Sequence, residues 1–320
     1  MSNILVLGGT GFVGRHVCES LQRAGHRMTV PTRVLKNAAA VQHLPGLTVQ
    51  VADVHQPDQL NRLVAGHEVV INLVAILHGN ERAFHKVHVD LPESLAAACA
   101  AAGVRRVIHV SALGTAADAP SLYLRSKAEG EAVLEAADLD LTVLRPSVIF
   151  GAGDRFLNLF ARMQQVLPVV PLAGAGVHFQ PVWVQDVAQA IVHAVAHAAT
   201  IGQTLEATGP DVFTLTQLVR MAGQAVGCPR PVLGLPTALA YFQALLMELL
   251  PGTPLMSTDN ISSLEVDNVA SETDDGQVTL ADWGLTPAHL ADVLPTFLHR
   301  QAGTLAPRER LVELRAQRRR

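Results

Sequence analysis

Tyr123 and Lys127 are the residues of this sequence best suited to moving a proton. Spaced i, i+4, they share one face of any helix that carries them. An ammonium beside a phenol favours phenolate and lowers its pKa, as a general acid/base working near neutrality requires. The chain has only two tyrosines, Tyr123 and Tyr241, and its lysines are Lys36, Lys86 and Lys127. At that composition about 0.02 such pairs are expected by chance. The competing reading is an ordinary pair on an amphipathic helix.

A second group is Gly8-Gly9-Thr10-Gly11-Phe12-Val13-Gly14, which contains both G-x-G-x-x-G and G-x-x-G-x-x-G. It follows an apolar run and opens an amphipathic one, the context in which glycines let backbone approach a pyrophosphate and a helix N-terminus offers unpaired N–H groups. Gly8, Thr10, Gly11, Phe12, Val13 and Gly14 are therefore candidate dinucleotide ligands. An NAD site usually carries an acid at the end of the second strand, for the ribose 2′-hydroxyl. Here no acid occurs between Glu19 and Asp53, and Arg33 stands at that place with Lys36 close behind. A guanidinium suits a 2′-phosphate, so NADP(H) is favoured and NAD(H) stays open. The other reading of Arg33 is a solvated surface residue. Asp53-Val54 closes the third expected strand, where adenine would lie; Asp53 either bonds the adenine amino group or starts the next turn.

Among the 14 histidines, His193 and His197 are i, i+4 on one expected helix. No third ligand or HExxH accompanies them, and no metal is expected. His85 and His88 fall in a loop-to-helix region bordering the cofactor and receive no role.

These residues need a scaffold. At roughly 100–200 residues per domain, 320 residues make one large domain or two modest ones. Hydrophobic residues are 49% and charged residues 16%, enough to bury a core and to exclude wholesale disorder. The net charge of −4 gives no argument for nucleic acid as a partner. Cys18, Cys99 and Cys228 are odd in number and far apart, which fits a reduced, cytoplasmic protein. The first apolar run has no basic segment before it and reads as a strand rather than a signal peptide. No apolar stretch reaches the roughly 18 residues of a spanning helix.

Strands are expected at Asn3–Leu7, Arg27–Val30, Leu47–Val51, Glu68–Val74, Arg106–Val110 and Leu141–Leu144. Helices are expected at Phe12–Ala24, Pro92–Ala102 and Ser121–Ala137. This alternation predicts an α/β, doubly wound parallel Rossmann sheet with a smaller C-terminal α+β cap domain. Residues 1–170 and 182–208 are assigned to the dinucleotide-binding domain, 171–181 and 209–300 to the cap, and 301–320 to a basic tail. Later elements are a helix capped by Asp186 running to about Ala198, a strand at Thr204–Ala207 and a helix begun by the capping box Thr214-Leu215-Thr216-Gln217. A strongly apolar helix follows at Pro236–Leu250, stopped by Pro251-Gly252, and a last one begins at Thr286-Pro287. The 236–250 helix is either a core helix or an apolar face for a membrane, a quinone-like molecule or a partner. From Arg300 onward the chain holds seven arginines and two glutamates, suited to anionic headgroups or an acidic surface.

The glycine loop, Tyr-x-x-x-Lys, Leu144-Arg145-Pro146-Ser147 and Pro181-Val182-Trp183-Val184-Gln185-Asp186-Val187, in that order, resemble the extended short-chain dehydrogenase/reductases. Within that superfamily the chain is most similar to the atypical branch holding the nucleotide-binding accessory subunit of respiratory complex I and its bacterial relatives. Val110–Gly114, Tyr123–Glu131, Ile149–Gly151 and Asp154–Asn158 carry the likeness, which covers about residues 1–300. The resemblance implies that Tyr123 is the acid/base, that Lys127 also holds the nicotinamide ribose, and that Val74, Ala75, Pro146, Ser147 and Val148 line the cofactor. It also calls for a Ser or Thr two residues beyond Ser111. Leu113 stands there, which cannot donate a hydrogen bond, so Ser111 substitutes only if the loop is shifted.

Three functions follow. The first is an accessory or assembly protein of a respiratory complex or of quinone metabolism, binding NADPH tightly and peripheral on the cytoplasmic face of the inner membrane. The second is an active NADP(H)-dependent oxidoreductase. The third is a nucleotide-sugar epimerase or dehydratase. Leu113 favours the first.

Overall fold

The computed structural model describes residues 1–248, 256–271 and 278–299. Leu249, Leu250, the Pro251-Gly252 stop and the basic tail lie outside them. The chain opens with β1 (Asn3–Leu7), α1 (Phe12–Arg23), β2 (Arg27–Thr32), β3 (Leu47–Val51), α2 (Pro57–Val64) and β4 (Val69–Asn72). Next come α3 (Glu81–His85) and α4 (Leu91–Ala102), joined by a π-helical turn at Lys86–Asp90, then β5 (Arg106–Val110), α5 (Leu122–Glu135) and β6 (Asp140–Pro146). After these the elements shorten: β7 (Ile149–Phe150), α6 (Leu157–Val166), β8 (Val170–Leu172), β9 (His178–Phe179), β10 (Val182–Trp183), α7 (Val184–Ala196), β11 (Thr204–Ala207) and β12 (Phe213–Thr214). The remainder is α8 (Leu215–Ala225), β13 (Val232–Gly234), α9 (Thr237–Glu248), α10 (Thr258–Ser263), β14 (Val278–Thr279) and α11 (Leu290–Phe297).

Eight strands form one parallel sheet in the order β14-β11-β6-β5-β4-β1-β2-β3. Its β3-β2-β1-β4-β5-β6 portion is the doubly wound arrangement, whose switch point lies between β1 and β4. Strands covered on both faces must be apolar throughout. Ile4, Leu5, Val6 and Leu7 are accordingly all fully buried. On one face Val17 and Leu21 of α1 pack with Ala188 and Ile191 of α7. On the other, Leu60 and Leu63 of α2 meet Leu91 and Leu95 of α4 and Leu134 of α5. Each such leucine contributes roughly 2 kcal/mol of burial.

A smaller core gathers Phe150, Leu157, Phe160, Leu218, Val219 and Leu294 beside the sheet. Its strands pair only in twos: β7 with β10, β9 with β12 and β8 with β13. Beyond it, α9 and α10 close over Ala240, Ala244 and Ile261. The chain then returns to the main sheet, where β14 pairs Val278 with Leu205 and Thr279 with Glu206. Leu280 is buried behind this edge, and Trp283 Nε1 donates to Gln203 Oε1 at 2.8 Å.

Two late boundaries differ from expectation. Asp186 does not cap α7; it is the third residue, and Trp183 precedes the helix without a side-chain cap. Its carboxylate accepts instead from Ala288 N at 2.8 Å. The last helix starts at Leu290 and not at Thr286, because the backbone stays extended through His289, at φ −69° and ψ 135°. The Thr214–Gln217 capping box is present as expected. No described helix is long and apolar enough to cross a membrane.

Candidate functional site

The glycine loop crosses from β1 to α1 at the switch point. Gly8 has φ +80°, and a Cβ there would sit 3.0 Å from the Leu73 carbonyl carbon at the end of β4. At Gly14 a Cβ would collide with Gly8 O and the Gly9 backbone, so only glycine lets α1 start this close to the turn. Gly11 precedes the helix with no side-chain cap, and the first turn, which includes Phe12 and Val13, carries no acid. Thr10 is half-buried in the turn between them. Bare amides, a positive helix end and backbone stripped of side chains fit a diphosphate group.

At the end of β2, Arg33 and Lys36 are both exposed, Lys36 within a short 3₁₀ turn at Leu35–Ala38. Neither makes an ion pair with a described residue. Asp53 opens a turn: its Oδ1 accepts from His55 N at 3.1 Å, while its own N–H donates to Gln59 Oε1 at 2.8 Å. This is the turn-starting alternative. Val54 and Val74 are half-buried against the α2/α4 core, and Ala75 is exposed.

Tyr123 and Lys127 sit on α5, whose first turn is fully capped. Ser121 Oγ accepts from Leu124 N at 3.3 Å. From α10, Asp259 Oδ1 accepts from Leu122 N at 2.6 Å and its Oδ2 from Tyr123 N at 3.1 Å. Lys127 is 2% exposed and donates to Val110 O at 2.8 Å. Burial lowers its pKa to about 8, with Glu131 pulling the other way. Glu131 is itself tied to Arg145, Nη2 to Oε2 at 2.5 Å. Loss of water around the Tyr123 phenol raises its pKa to about 12. The expected lowering by the ammonium is therefore overturned: burial dominates at the phenol. At pH 7 Tyr123 is a neutral proton donor and Lys127 a cation.

His88 is the neighbour that local spacing does not reveal. The π-helical turn aims its ring at Tyr123, edge-on at 5.5 Å between centroids, with Phe84 stacked behind it at 5.6 Å. Gly130 permits this approach, since a Cβ there would strike His88 O. His88 Nε2 accepts from Ile76 N at 3.2 Å, and Nδ1 lies 2.8 Å from Ser126 Oγ, which donates to Tyr123 O. The ring is therefore neutral with its proton on Nδ1; burial, and then Lys127, press its pKa down to about 3. Under the site, fully buried His109 is likewise held neutral, and its Nδ1 pairs with Asn72 Nδ2 at 3.2 Å. The sequence places His88 in the region bordering the cofactor without a role; its aim at Tyr123 comes from the π-helical turn, which is visible only in three dimensions.

The β5–β6 ladder continues into the loop after β5: Ser111 N donates to Leu144 O at 2.7 Å and Leu113 N to Pro146 O at 2.9 Å. Leu113 is 2% exposed. Ser111 Oγ is buried, 3.5 Å from Thr115 Oγ1, and Thr115 donates to Ala112 O. Across from them, Pro146 and Ser147 are buried and Val148 half-buried. Asn268 Oδ1 accepts from Ser147 Oγ at 2.6 Å and from Val148 N at 3.0 Å. Elsewhere, His193 stacks on His197 at 3.9 Å and on Trp283 at 5.2 Å. On α9, Leu239, Phe242, Leu245 and Leu246 are exposed.

Residues 4–207 match the model of the NAD dependent epimerase/dehydratase family. The chain is 33% identical over 295 residues to NADH dehydrogenase [ubiquinone] 1 alpha subcomplex subunit 9, mitochondrial, of Mus musculus, spanning 89% of this chain and 76% of that one. It is 30% identical over 238 residues, 73% of each chain, to the ceramide reductase of Caulobacter vibrioides. In three dimensions it resembles MoeE5 in complex with UDP-glucuronic acid and NAD, with a TM-score of 0.70 at 18% identity over 92% of this chain and 97% of that one, a likeness of fold. With the bare glycine cradle and the Tyr123/Lys127 helix on one sheet edge, these matches make the chain a member of the NAD dependent epimerase/dehydratase family.

Proposed function

We propose that this protein binds NADPH tightly and serves as an accessory, assembly or sensing component tied to respiratory NADH:quinone oxidoreductase or to quinone metabolism. The observation that carries this reading is the buried Leu113 beside the bare glycine cradle: an apolar side chain stands where a substrate-orienting hydroxyl is expected, whereas residues suited to holding the dinucleotide are present. Gly8, Thr10, Gly11 and the amides of Phe12, Val13 and Gly14 would hold the pyrophosphate. Arg33 and Lys36 would take the 2′-phosphate, and Lys127 the nicotinamide ribose. Asp53 and Val54 would border the adenine, with Val74, Ala75, Pro146, Ser147 and Val148 along the rest. Subunit 9 of the mitochondrial enzyme, a relative over most of the chain, supports the respiratory link. The exposed apolar side of α9, with the arginine-rich tail, would meet the complex or the cytoplasmic face of the membrane.

A second reading is favoured by the intact Tyr123/Lys127 pair and by the likeness to a ceramide reductase. Bound NADPH supplies a hydride. Tyr123, neutral at pH 7, would give its proton to the carbonyl oxygen being reduced, and the Lys127 ammonium would stabilise the phenolate left behind. The hydroxyl of Thr115 or Ser111 would have to turn outward to help. Nucleotide-sugar chemistry has in its favour the family match over residues 4–207 and the fold, but no residue that would grip a nucleoside diphosphate sugar has been identified.

Nucleotide extracted from the purified protein should be NADPH, and turnover on quinones, aldehydes and nucleotide sugars should be absent. A reduction abolished by Tyr123→Phe replaces the first reading with the second. Arg33→Ala should weaken NADPH about tenfold and leave NADH unchanged, the factor expected for one charge-assisted contact. A protein that prefers NADH sinks the assignment of Arg33.

A further inference from the structure

The segment 256–271 crosses the C-terminal edge of the sheet and bonds to successive loops there. Asn260 Nδ2 donates to Leu77 O beyond β4 at 3.4 Å. One residue earlier, Asp259 holds the first two amides of α5. Asn268 then spans the gap between the β5 and β6 loops: its Oδ1 takes Ser147 Oγ and Val148 N, and its Nδ2 reaches Leu113 O at 3.4 Å. Its backbone is fixed as well, donating to His178 O at 2.8 Å and accepting from Gln180 N at 2.9 Å. Ser271 ends the crossing with N–H and hydroxyl bonds of 2.7 and 2.8 Å to Glu206.

Two of these side chains act where the candidate chemistry sits. A carboxylate on two first-turn amides makes charge-assisted bonds and complements the helix dipole. One of those amides belongs to Tyr123. The Asn268 carboxamide satisfies a buried hydroxyl and an amide in the loop that would face the nicotinamide, and a buried polar group left without its partner is costly. We propose that Asp259 and Asn268 are positioning residues, the first fixing the turn that carries the Tyr123 phenol and the second fixing the Ser147–Val148 loop against the nicotinamide end of the bound dinucleotide. The second half rests on the NADPH reading above; the first does not.

The test is amide hydrogen exchange on the full-length, nucleotide-free protein, followed by NADPH titration. In Asp259→Ala the Leu122 and Tyr123 amides should exchange roughly tenfold faster, the factor of one lost hydrogen bond, while β5 and β6 stay protected. Asp259→Asn keeps one acceptor and should restore one of the two amides. NADPH affinity should be unchanged in both. In Asn268→Ala the Val148 amide should exchange faster and NADPH should bind about tenfold more weakly, with Asn268→Gln intermediate. Equal exchange at 122 and 123 in parent and variants overturns the Asp259 assignment. So does uniform acceleration across the sheet, which marks a merely structural part. Parent-like NADPH affinity in Asn268→Ala overturns the second assignment. A parent protein that fails to bind NADPH overturns the nucleotide reading and the Asn268 assignment together, and leaves the exchange result for Asp259 standing.

Discussion

Helices α1 and α5 both begin at the C-terminal edge of the sheet, and both present the unpaired N–H groups that every helix start carries. At α5 those groups are consumed inside the protein: Ser121 and Asp259 take the amides of Leu122, Tyr123 and Leu124. At α1 no side chain caps the start and no acid lies in the first turn. One helix end is closed by side chains from within the protein; the other is left bare, as an anion-binding end would be. The same dipole serves positioning in one place and binding in the other, and neighbouring side chains decide which.

The largest effect is expected at Gly14. Gly14→Ala should abolish measurable dinucleotide binding and cost about 1–3 kcal/mol of stability, because the added methyl meets backbone that cannot yield. Calorimetric titration and thermal melting read both. Gly11→Asp would make α1 resemble α5. Its φ of −77° suits any residue, although a Cβ would sit 3.2 Å from Gly8 O and the turn must give by a few tenths of an ångström. The new carboxylate should leave stability within about 1 kcal/mol and weaken NADPH on the order of a hundredfold through like-charge repulsion. Unchanged affinity there would mean that the diphosphate does not sit at α1.

Lys127 sharpens the other side. Its ammonium should be lost as pH rises through about 8, and NADPH affinity should fall with it. The sign for stability is opposite. Burial sets its folded pKa, about 8, below its unfolded value of 10.5, so below about pH 8 the buried charge burdens the fold, and the burden is relieved as pH climbs toward 10.5. Lys127→Met should therefore keep or raise Tm at neutral pH while weakening NADPH about tenfold. Affinity that stays flat across pH 8 would remove Lys127 from the ribose. His88, neutral down to about pH 3, should contribute nothing to that profile. The smallest effect is expected of Ser121→Ala, about 1 kcal/mol of stability by chemical denaturation with no change in affinity.

Much of the frame was legible in the sequence. The central strands β1 and β4 are nearly continuous buried apolar runs, and α1 and α4 end on positive-φ glycines, Gly25 and Gly103, so pattern and breaker residues place them. The glycine cradle and the Tyr123/Lys127 spacing are local as well. What escaped is contact between distant segments. Asp259 reaches α5 across more than 130 residues and Asn268 reaches Val148 across 120, and neither leaves any periodicity behind. The region of His88 is legible from the sequence, but its approach to Tyr123 is not, because a π-helical turn rotates it out of the register that 3.6-residue spacing assumes. The phenol's pKa was misjudged because spacing reports proximity, whereas burial set the outcome.

The two-residue strand β14 has a consequence for how this chain is made. Residues 4–207, the stretch shared with the family, end on β11, whose outer backbone is an open parallel edge until Val278 and Thr279 arrive. During synthesis that edge waits for some seventy further residues to emerge, and an uncovered strand is a template for pairing with another chain. A version truncated after the family region would keep the glycine loop, lose Asp259 and Asn268, and be born adhesive. The late, short strand is less an ornament of the sheet than its selvedge.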